Sequence, residues 1–408
     1  MSTLTISQPV SATSVAALGS NTQTRLLLHK AGQPYQLSHR EKIPDFGPGE
    51  LLVQVGAIGL NPIDWKSAAY GFALPSLPSV NGREFIGKVV EVNKKQHSTY
   101  AVGDMGTDRV KILSVSTDYR DLRKSAFQEY AVVSEFNAVK LPRSLHGYHA
   151  ASVGVAFVTA AIALGVSLGM VFPTDANGSA LNLLKVAQAQ EPSNVPADIS
   201  DEIFNAIHPR SRPRNGDWIM IYGASSVTAQ VAIQLSKWSG LKLGVDILID
   251  RMDLDRAADE IKKKIEAPIC FALDTVGSDT ASWCQKVLAS CRGSVLESSE
   301  KDQGRDGRSL SVDEDQSHLI CLTSRPKTKD ANVRVHAVPI KLFHENHDIG
   351  KLISKWLEEL LASGKLKLPD NVLVNGGLNA VGPSLERMRK GEVSGKRLVV
   401  LMHPIERA

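Results

Sequence analysis

The stretch YGASSVTAQVAIQLSKW, which begins at Tyr222, combines residue types that can bind a phosphate group. An apolar strand ending at Tyr222, a turn through Gly223 and a helix beginning near Val227 would direct free backbone N–H groups and the positive helix end at an anion. The G-x-G-x-x-G fingerprint is incomplete, because serine and threonine replace its second and third glycines. The stretch by itself therefore fits a phosphate-binding turn or an ordinary strand, turn and helix. The candidate phosphate-binding residues are Tyr222, Gly223, Ala224, Ser225, Ser226 and Val227.

Alternating strand and helix patterns surround this turn and extend to about residue 338. The segments DWIMIYG, DILID, ICFALD, HLICLT and VRVHAVP are short and apolar, and the sequences between most of them have helical character. Such alternation predicts a mainly parallel sheet with helices on both faces. The second half of the chain is therefore expected to be an α/β domain.

The first part of the chain has a different pattern. Short alternating segments such as ELLVQVGAIGL and GKVVEV are separated by Gly, Pro and Asn, which predicts a small antiparallel barrel. A length of 408 residues suggests about two domains. We predict a flexible N-terminus over 1–24, a barrel domain over 25–150, a sheet domain over 151–345 with an exposed polar insertion over 174–215, and a C-terminal return to the barrel over 346–408.

Composition and charge exclude several classes of partner. The net charge of +4 is mild and Lys and Arg are scattered, so nucleic acid is not an expected partner. The apolar run from Ala150 to Phe172 is rich in Gly and Ala, which favours a packed interior helix over a membrane span. Residues 1–24 lack the charged start of a signal peptide, and four cysteines in mostly apolar segments indicate a reduced, cytoplasmic protein.

Several motifs, in order along the chain, resemble the medium-chain dehydrogenase/reductase superfamily. They are GLNPIDWK, VNGREFIGKVVEV with Gly82, Glu84 and Gly87, YAVGDMG with Val102 to Asp104, FQEYAVV, and GEVSGKRLVV. Within the superfamily the chain resembles the zinc-free fungal group that includes trans-acting enoyl reductases of polyketide pathways. The resemblance implies a GroES-like barrel domain and a Rossmann-type domain that together use NADPH to reduce an activated double bond. It also implies a small-molecule or carrier-bound enoyl substrate and a polyketide synthase as a possible partner.

The residue types at the corresponding positions argue against a catalytic zinc. Zinc-dependent relatives have Cys where this chain has Asn61 and His where it has Arg83, and neither replacement is a good zinc ligand. His344 and His347 lie close in sequence but are expected to be solvated or hydrogen-bonded, so we predict no bound metal. Arg83 could attract a carboxylate or polarise a carbonyl, or could form a structural ion pair with Glu84.

The resemblance also suggests residues for the reaction. Reduction of a conjugated alkene needs nicotinamide held against the β-carbon, polarisation of the carbonyl and a proton for the α-carbon. Asn61, Asp64 and Lys66 are the candidate catalytic residues, since they could orient substrate, ribose or water; alternatively, Asn61 and Pro62 only shape a turn and Lys66 faces solvent. Thr159 matches a position that contacts the nicotinamide region, or it bonds back to its own helix. Leu322, in HLICLT, is a further candidate cofactor contact.

The segment after the phosphate-binding turn is shorter than the resemblance leads one to expect. One strand and helix of the Rossmann-type domain are apparently lacking, and that unit normally contacts the adenosine ribose. DILID could occupy the neighbouring strand position, so that Asp250 binds the ribose hydroxyls of NAD; alternatively, Asp250 only caps the next helix. NADP is the expected cofactor, with NAD possible. Two alternatives stay open: a pseudoenzyme that binds a synthase, and a cofactor-independent cyclase or isomerase.

Overall fold

The computed structural model describes residues 21–93, 98–100, 110–145, 148–173, 180–243, 253–265, 267–299 and 316–403, without the side chains of 291–299. Within these residues no helix is both long enough and apolar enough to cross a membrane. The expected α/β architecture, with a GroES-like barrel and a parallel Rossmann-like sheet, is confirmed.

The barrel is built from antiparallel strands of the first part of the chain and a parallel strand pair from its end. The strands are β1 (Thr22–Leu28), β2 (Gln36–Lys42), β3 (Glu50–Gly59), β4 (Ser79–Val80), β5 (Glu84–Val92), β6 (Lys111–Val115), β7 (Tyr130–Ser134), β8 (Val139–Lys140), β16 (Asp370–Asn375) and β17 (Lys396–Leu401). A seven-stranded sheet has the order β16-β17-β3-β5-β6-β8, with β7 also paired to β3, and a small sheet has the order β2-β1-β4. The helices beside them are α1 (Pro62–Tyr70) and α10 (Val381–Arg389).

Strand β3 is the centre of this sheet, because it pairs with β5, β7 and β17. Its sequence ELLVQVGAIG is mostly buried, as expected for a strand covered on both faces. The strand ends at Gly59, where an added Cβ would lie only 2.8 Å from Glu84 Cγ and still closer to the carbonyl oxygen of Ala151. Only glycine permits that approach, which brings the end of β3 and the start of β5 against the segment that contains Ala151.

The second sheet is parallel and contains the predicted phosphate-binding turn. Its described strands are β11 (Trp218–Tyr222), β12 (Lys242–Leu243), β13 (Ile269–Asp274), β14 (Ser317–Cys321) and β15 (Val333–Ala337). They have the order β12-β11-β13-β14-β15. The helices around the sheet are α2 (Gly154–Ile162), α3 (Leu183–Gln188), α4 (Ala197–Phe204), α5 (Val227–Trp238), α6 (Leu254–Lys264), α7 (Ser278–Ser299), α8 (Leu342–Glu345) and α9 (His347–Ala362). A short pair, β9 (Phe172–Pro173) and β10 (Ala180–Leu181), completes the set.

The strand order matches a Rossmann sheet with one strand fewer within the described residues. The common order is 3-2-1-4-5-6, and the order seen here corresponds to 2-1-4-5-6, with β11 as the first strand. The neighbour of β11 begins at Lys242, directly after α5, rather than within DILID. Residues 244–252, which include DILID and Asp250, lie outside the described residues, so the predicted ribose contact of Asp250 stays a prediction.

The polar stretch expected to be an exposed insertion is partly a packed element. Helices α3 and α4 bury Leu183, Leu184, Ile199 and Ile203, and all four belong to the main hydrophobic core. Apolar residues recur on one face of each helix, and this periodicity is masked by the surrounding Ser, Asn and Pro. The apolar run from Ala150 forms α2 and a π-helical turn over Ala163–Ser167, and most of its residues are buried.

Candidate functional site

The turn after β11 has the backbone shape that a phosphate-binding loop needs. Gly223 has a φ of +79°, and a Cβ added there would lie 2.4 Å from the Thr275 Oγ1 atom. Ser226 is the N-cap of α5, since its Oγ accepts the Ala229 N–H at 3.2 Å. Ala224 and Ser225, by contrast, are exposed at the tip. The turn therefore presents small residues and a helix start to solvent.

The strand register places three turn residues along one edge of the sheet. Tyr222 pairs with Asp274 on β13, and Asp274 pairs with Cys321 on β14. Gly223, Thr275 and Leu322, which follow these residues, therefore share the carboxyl edge of the sheet. The order of the strands reverses between β11 and β13, and ligands of open α/β sheets bind at this switch point. The predicted cofactor residues Gly223 and Leu322 are thus brought to the same edge.

Side chains at this edge are held by local hydrogen bonds. Ser226 Oγ donates to Thr275 Oγ1 at 3.0 Å, and Thr275 Oγ1 lies 3.1 Å from the carbonyl oxygen of Tyr222. The ring of Tyr222 packs edge-on against Trp283 at a centroid distance of 5.5 Å. Asp274 is fully buried and accepts the Gly277 N–H at 3.1 Å, and burial raises the pKa of its carboxyl group. Val227 is buried at the start of α5.

Asn61 and Asp64 lie in a second cluster, a buried polar network at the end of β3. Asn61 Nδ2 donates to Glu84 Oε1 at 2.8 Å, and Arg397 Nη1 donates to Asn61 Oδ1 at 2.9 Å. Asp64 Oδ2 accepts the backbone N–H of Asn61 at 2.8 Å, and Glu84 Oε2 accepts the Val155 N–H at 2.8 Å. The amide of Asn61 is therefore occupied on both sides by protein groups. We name these four side chains, Asn61, Asp64, Glu84 and Arg397, the buried network.

The carboxyl groups of the buried network titrate well above their ordinary range. Burial raises the pKa of Glu84 to about 7, against the opposing charge of Arg397 and the hydrogen bond from Asn61. Burial also raises the pKa of Asp64 to about 6, against the hydrogen bond from the Asn61 backbone. The same burial lowers the pKa of Arg397. The site thus holds carboxyl groups that are partly protonated near neutral pH.

Lys66 and Thr159 differ from Asn61 and Asp64 in having no side-chain hydrogen bond to the described residues. Lys66 is half-buried, and burial lowers the pKa of its ammonium group. Its Nζ lies 5.8 Å from the centroid of the Trp65 ring. Thr159 is half-buried on α2, and the expected bond of its hydroxyl back to its own helix is not seen in the part of the helix that is described. Both polar groups are available to a ligand.

Arg83 does not form the ion pair with Glu84 that the sequence suggested. Glu84 is occupied within the buried network, where its Oε1 accepts from Asn61 Nδ2. The Arg83 guanidinium instead lies over the ring of Tyr119, 3.8 Å from its centroid.

The two histidines of FHENH are engaged separately. His344 Nδ1 lies 2.7 Å from Thr117 Oγ1, whereas the ring of His347 packs on Phe136 at 4.8 Å. No cluster of three or more His, Cys, Asp or Glu side chains suited to a metal occurs in the described ranges. The thiols of Cys284 and Cys321 are buried and form no disulfide.

Sequence reasoning missed Arg397 and the role of Val155. Arg397 is the second residue of β17 and is 6% exposed, so a charged residue inside a closing apolar strand was the available signal. Val155 contributes only its backbone N–H, and no residue type predicts that contact. Both depend on strands and helices that are distant in the sequence.

Comparison with known proteins agrees with this architecture. The model of the alcohol dehydrogenase GroES-like domain matches residues 47–143. A trans-enoyl reductase of Botryotinia fuckeliana is 27% identical over 392 residues, which cover 89% of this chain and 95% of that protein. A trans-enoyl reductase of Gibberella fujikuroi is 25% identical over 398 residues, covering 90% of this chain and 95% of that protein.

Solved structures share the fold at low sequence identity. The CurK enoyl reductase has a TM-score of 0.62 at 16% identity, covering 93% of this chain and 99% of that chain. The Escherichia coli quinone oxidoreductase in complex with NADPH has a TM-score of 0.59 at 17% identity, with the same coverage. The barrel, the parallel sheet, the matched domain and the full-length relatives show that this chain resembles the medium-chain dehydrogenase/reductase superfamily along most of its length.

Proposed function

We propose that the protein is a nicotinamide-dependent oxidoreductase of the enoyl or quinone reductase type that reduces an activated carbon–carbon double bond. The observation that carries the proposal is the turn at the switch point of the sheet, where Gly223 has a positive φ and Ala224 and Ser225 are open. The similarity to fungal trans-enoyl reductases supports the enoyl class and a role in fungal secondary metabolism. NADPH is the proposed cofactor, since similar folds are known with NADPH bound, and NADH stays possible.

The residues of the turn suit a dinucleotide pyrophosphate. Gly223 has no side chain, so its backbone can approach the phosphate closely. Ser225 is exposed and can add a hydroxyl donor. Ser226 already caps the Ala229 N–H, which leaves the earlier amides of the helix start for the ligand. Tyr222 and Leu322 would line the same edge of the sheet.

The catalytic assignment divides the predicted residues into two pairs. A bound nicotinamide would supply the hydride for the β-carbon. Lys66 and Thr159, whose polar groups have no side-chain hydrogen bond within the described structure, orient the substrate or the nicotinamide ribose in this proposal. Asn61 and Asp64 act indirectly, because the buried network fixes the start of helix α1, which carries Lys66.

The substrate is proposed to be a small or carrier-bound enoyl compound. The relatives named trans-enoyl reductases support an enzyme that acts on intermediates of a polyketide synthase. The sequence and the fold leave the identity of the acyl chain to experiment, because substrate choice depends on the shape of the cleft and not on the fold.

The phosphate-binding assignment is tested by calorimetric titration of the full-length protein with NADPH and, separately, with NADH. Ser225→Glu should weaken binding at least about tenfold, because a carboxylate next to the phosphates costs more than about 1.4 kcal/mol. The residue is exposed, so the variant should fold normally. Ser193→Glu, a matched change at another exposed serine, should bind like the wild type. Equal affinity of the two variants would refute the phosphate-binding turn.

A pseudoenzyme that binds a synthase is the second candidate, and the shortness of the sheet favours it. Only Lys242 and Leu243 of the strand beside β11 are paired within the described residues. This edge of a Rossmann sheet carries the residues that contact the adenosine ribose. A well-folded wild-type protein that binds neither nicotinamide in the titration would support this candidate over the reductase.

A further inference from the structure

Arg83 is a buried cation that the proposed mechanism does not use. Only 3% of its surface is exposed, and its backbone is fixed because its carbonyl accepts the Ser116 N–H at 2.7 Å. The guanidinium carbon lies over Tyr119, 3.8 Å from the ring centroid, in a cation–π contact. This contact uses the face of the ring and none of the N–H donors of the guanidinium.

The donors of this guanidinium are almost entirely unsatisfied. Arginine has five N–H donors. Nη2 makes a single long hydrogen bond of 3.5 Å to the carbonyl oxygen of Ala73, and Nε is buried without a partner. Nη1 has no hydrogen-bond partner among the described residues, yet it is not one of the fully buried unsatisfied atoms, so it is open to solvent. A buried charge with open donors lacks an acceptor.

Neighbouring acids do not provide that acceptor. Asp64 feels the positive charge of Arg83, but its Oδ2 accepts the backbone N–H of Asn61, and its buried Oδ1 forms no hydrogen bond with Arg83 or any other described residue. Glu84 faces Asn61 and Arg397. Within the described residues neither carboxylate forms an ion pair with Arg83. Burial raises the pKa of both carboxyl groups, which disfavours their charged forms.

Arg83 is also placed where the barrel meets the helices of the other domain. Tyr119, on which it stacks, belongs to a segment that crosses to α8. Thr117 Oγ1 contacts His344 Nδ1 at 2.7 Å, and Arg120 Nη2 donates to Glu345 Oε1 at 2.7 Å. Clefts between domains are preferred ligand sites. The open donor of Arg83 therefore lies beside the boundary where a substrate of the proposed reductase would bind.

We propose that Arg83 binds a carboxylate of the substrate, so that the cleft prefers an acidic α,β-unsaturated compound to its neutral counterpart. This inference rests on the proposed function and specifies its substrate class. Nη1 donates to the carboxylate, and Tyr119 holds the guanidinium plane in position. No bond is made or broken by Arg83, which is a binding residue. The carboxylate supplies the acceptor that the surrounding protein groups do not.

The test measures binding of trans-2-octenoate and of trans-2-octenamide to the full-length protein by calorimetry, with and without NADPH. The two probes have the same chain length and differ mainly in charge. The wild type should bind the acid about tenfold more tightly or better, as expected for a charge-assisted hydrogen bond. In Arg83→Gln the ratio of the two dissociation constants, amide over acid, should be close to one. The affinity of this variant for the amide should stay within about threefold of the wild-type value. Arg83→Lys should keep part of the preference, because it retains the charge but loses the planar stack.

Arg120→Gln is the matched control, since it removes one positive charge from an exposed arginine near the same boundary. It should preserve the preference for the acid. Equal binding of acid and amide by the wild type, an unchanged ratio in Arg83→Gln, or an equal loss in Arg120→Gln would each overturn the proposal. If Arg83→Gln does not fold, the wild-type ratio and the lysine variant decide. Reduction of neutral enoyl esters with NADPH is assayed separately, so a failure of the reductase proposal is distinguishable from a failure of the Arg83 site.

Discussion

At the scale of single residues, the same side-chain type can be available to a ligand or fully occupied by the protein. Asn61 was a candidate catalytic residue because an amide can contact a substrate or a ribose. In the structure Glu84 accepts from its Nδ2 and Arg397 donates to its Oδ1, so both polar ends are used. Lys66, five positions later, has no such partner within the described chain. Hydrogen-bond partners, more than residue type, separate a positioning residue from one that can contact a ligand.

The raised pKa of Glu84 predicts a dependence of stability on pH. An unfolded glutamate has a pKa near 4.5 and the folded one about 7, so the native state binds more protons between these values. Stability is then greatest at low pH within this window and falls as the pH rises from about 5 to 8. We expect a loss on the order of 2 kcal/mol in the free energy of unfolding, measured by urea denaturation.

Glu84→Gln removes this titration and is the comparison for that measurement. Its free energy of unfolding should change less with pH than that of the wild type. The variant loses part of the hydrogen bonding of the buried network, so its absolute stability should be lower at pH 5. A slope between pH 5 and 8 equal to that of the wild type would contradict the assignment of the pH dependence to Glu84.

At the scale of elements, helix α4 shows how a polar segment becomes part of the core. Glu202 is 7% exposed and its Oε2 lies 3.0 Å from His336 Nδ1 on β15. Its Oε1 accepts the Ala337 N–H at 2.8 Å, and His336 Nε2 lies 2.9 Å from His318 Nδ1 on β14. A series of buried hydrogen bonds therefore connects α4 to the edge of the parallel sheet. Ile199 and Ile203 add apolar contact on the same helix.

Glu202→Leu should destabilise the protein by roughly 2 to 4 kcal/mol, because it leaves the Ala337 N–H and a ring nitrogen of His336 buried without acceptors. The free energy of unfolding in urea measures this loss.

Asp201→Ala is the control at the preceding residue. Asp201 pairs with Arg334 at the surface, and such exposed pairs contribute less than about 1 kcal/mol. If the two variants lost equal stability, the series of buried hydrogen bonds would not be what holds α4 on the sheet.

At the scale of the whole molecule, the two sheets share a hydrophobic core. One cluster includes Ala57 and Ile86 from the barrel strands together with Ile219 and Leu273 from the parallel sheet. Helix α2 belongs to the same cluster, and its first turn is tied to Glu84 of the barrel. The predicted boundary at residue 150 therefore divides the chain by pattern, although the packing is continuous across it. Strand β17 adds to this continuity because its Val399 and Leu401 belong to the same cluster.

A continuous core predicts that the two sheets unfold together. Hydrogen exchange followed by mass spectrometry in increasing urea should give the same midpoint for peptides of β3 and of β13, because neither sheet keeps its buried face when the other is lost. A fragment of residues 21–150 should not form a stable barrel, since it lacks β17 and α2. A lower midpoint for one sheet, or a folded fragment, would show that the domains are independent.

Much of the architecture follows from the sequence, because it depends on patterns between near neighbours. Alternating apolar residues predict the barrel strands, and the succession of strands and helices predicts the parallel sheet. Gly223 and the small residues after it predict the turn between β11 and α5. The motifs around Asn61 and Gly82 predict the superfamily, which the matched domain and the full-length relatives confirm.

The tertiary structure alone decides which side chains meet. Arg397 follows Asn61 by 336 positions, and their hydrogen bond exists because β17 pairs with β3. Arg83 and Glu84 are sequence neighbours, yet Glu84 accepts from Asn61 whereas the Arg83 guanidinium lies over the ring of Tyr119, so the ion pair expected from proximity does not form. Helix α4 packs on the sheet because Ile199 and Ile203 join the main core and because Glu202 lies opposite His336 and the Ala337 N–H of β15. Local propensity acts over a few residues, whereas strand register and burial join residues from opposite ends of the chain, and no local pattern encodes those pairings.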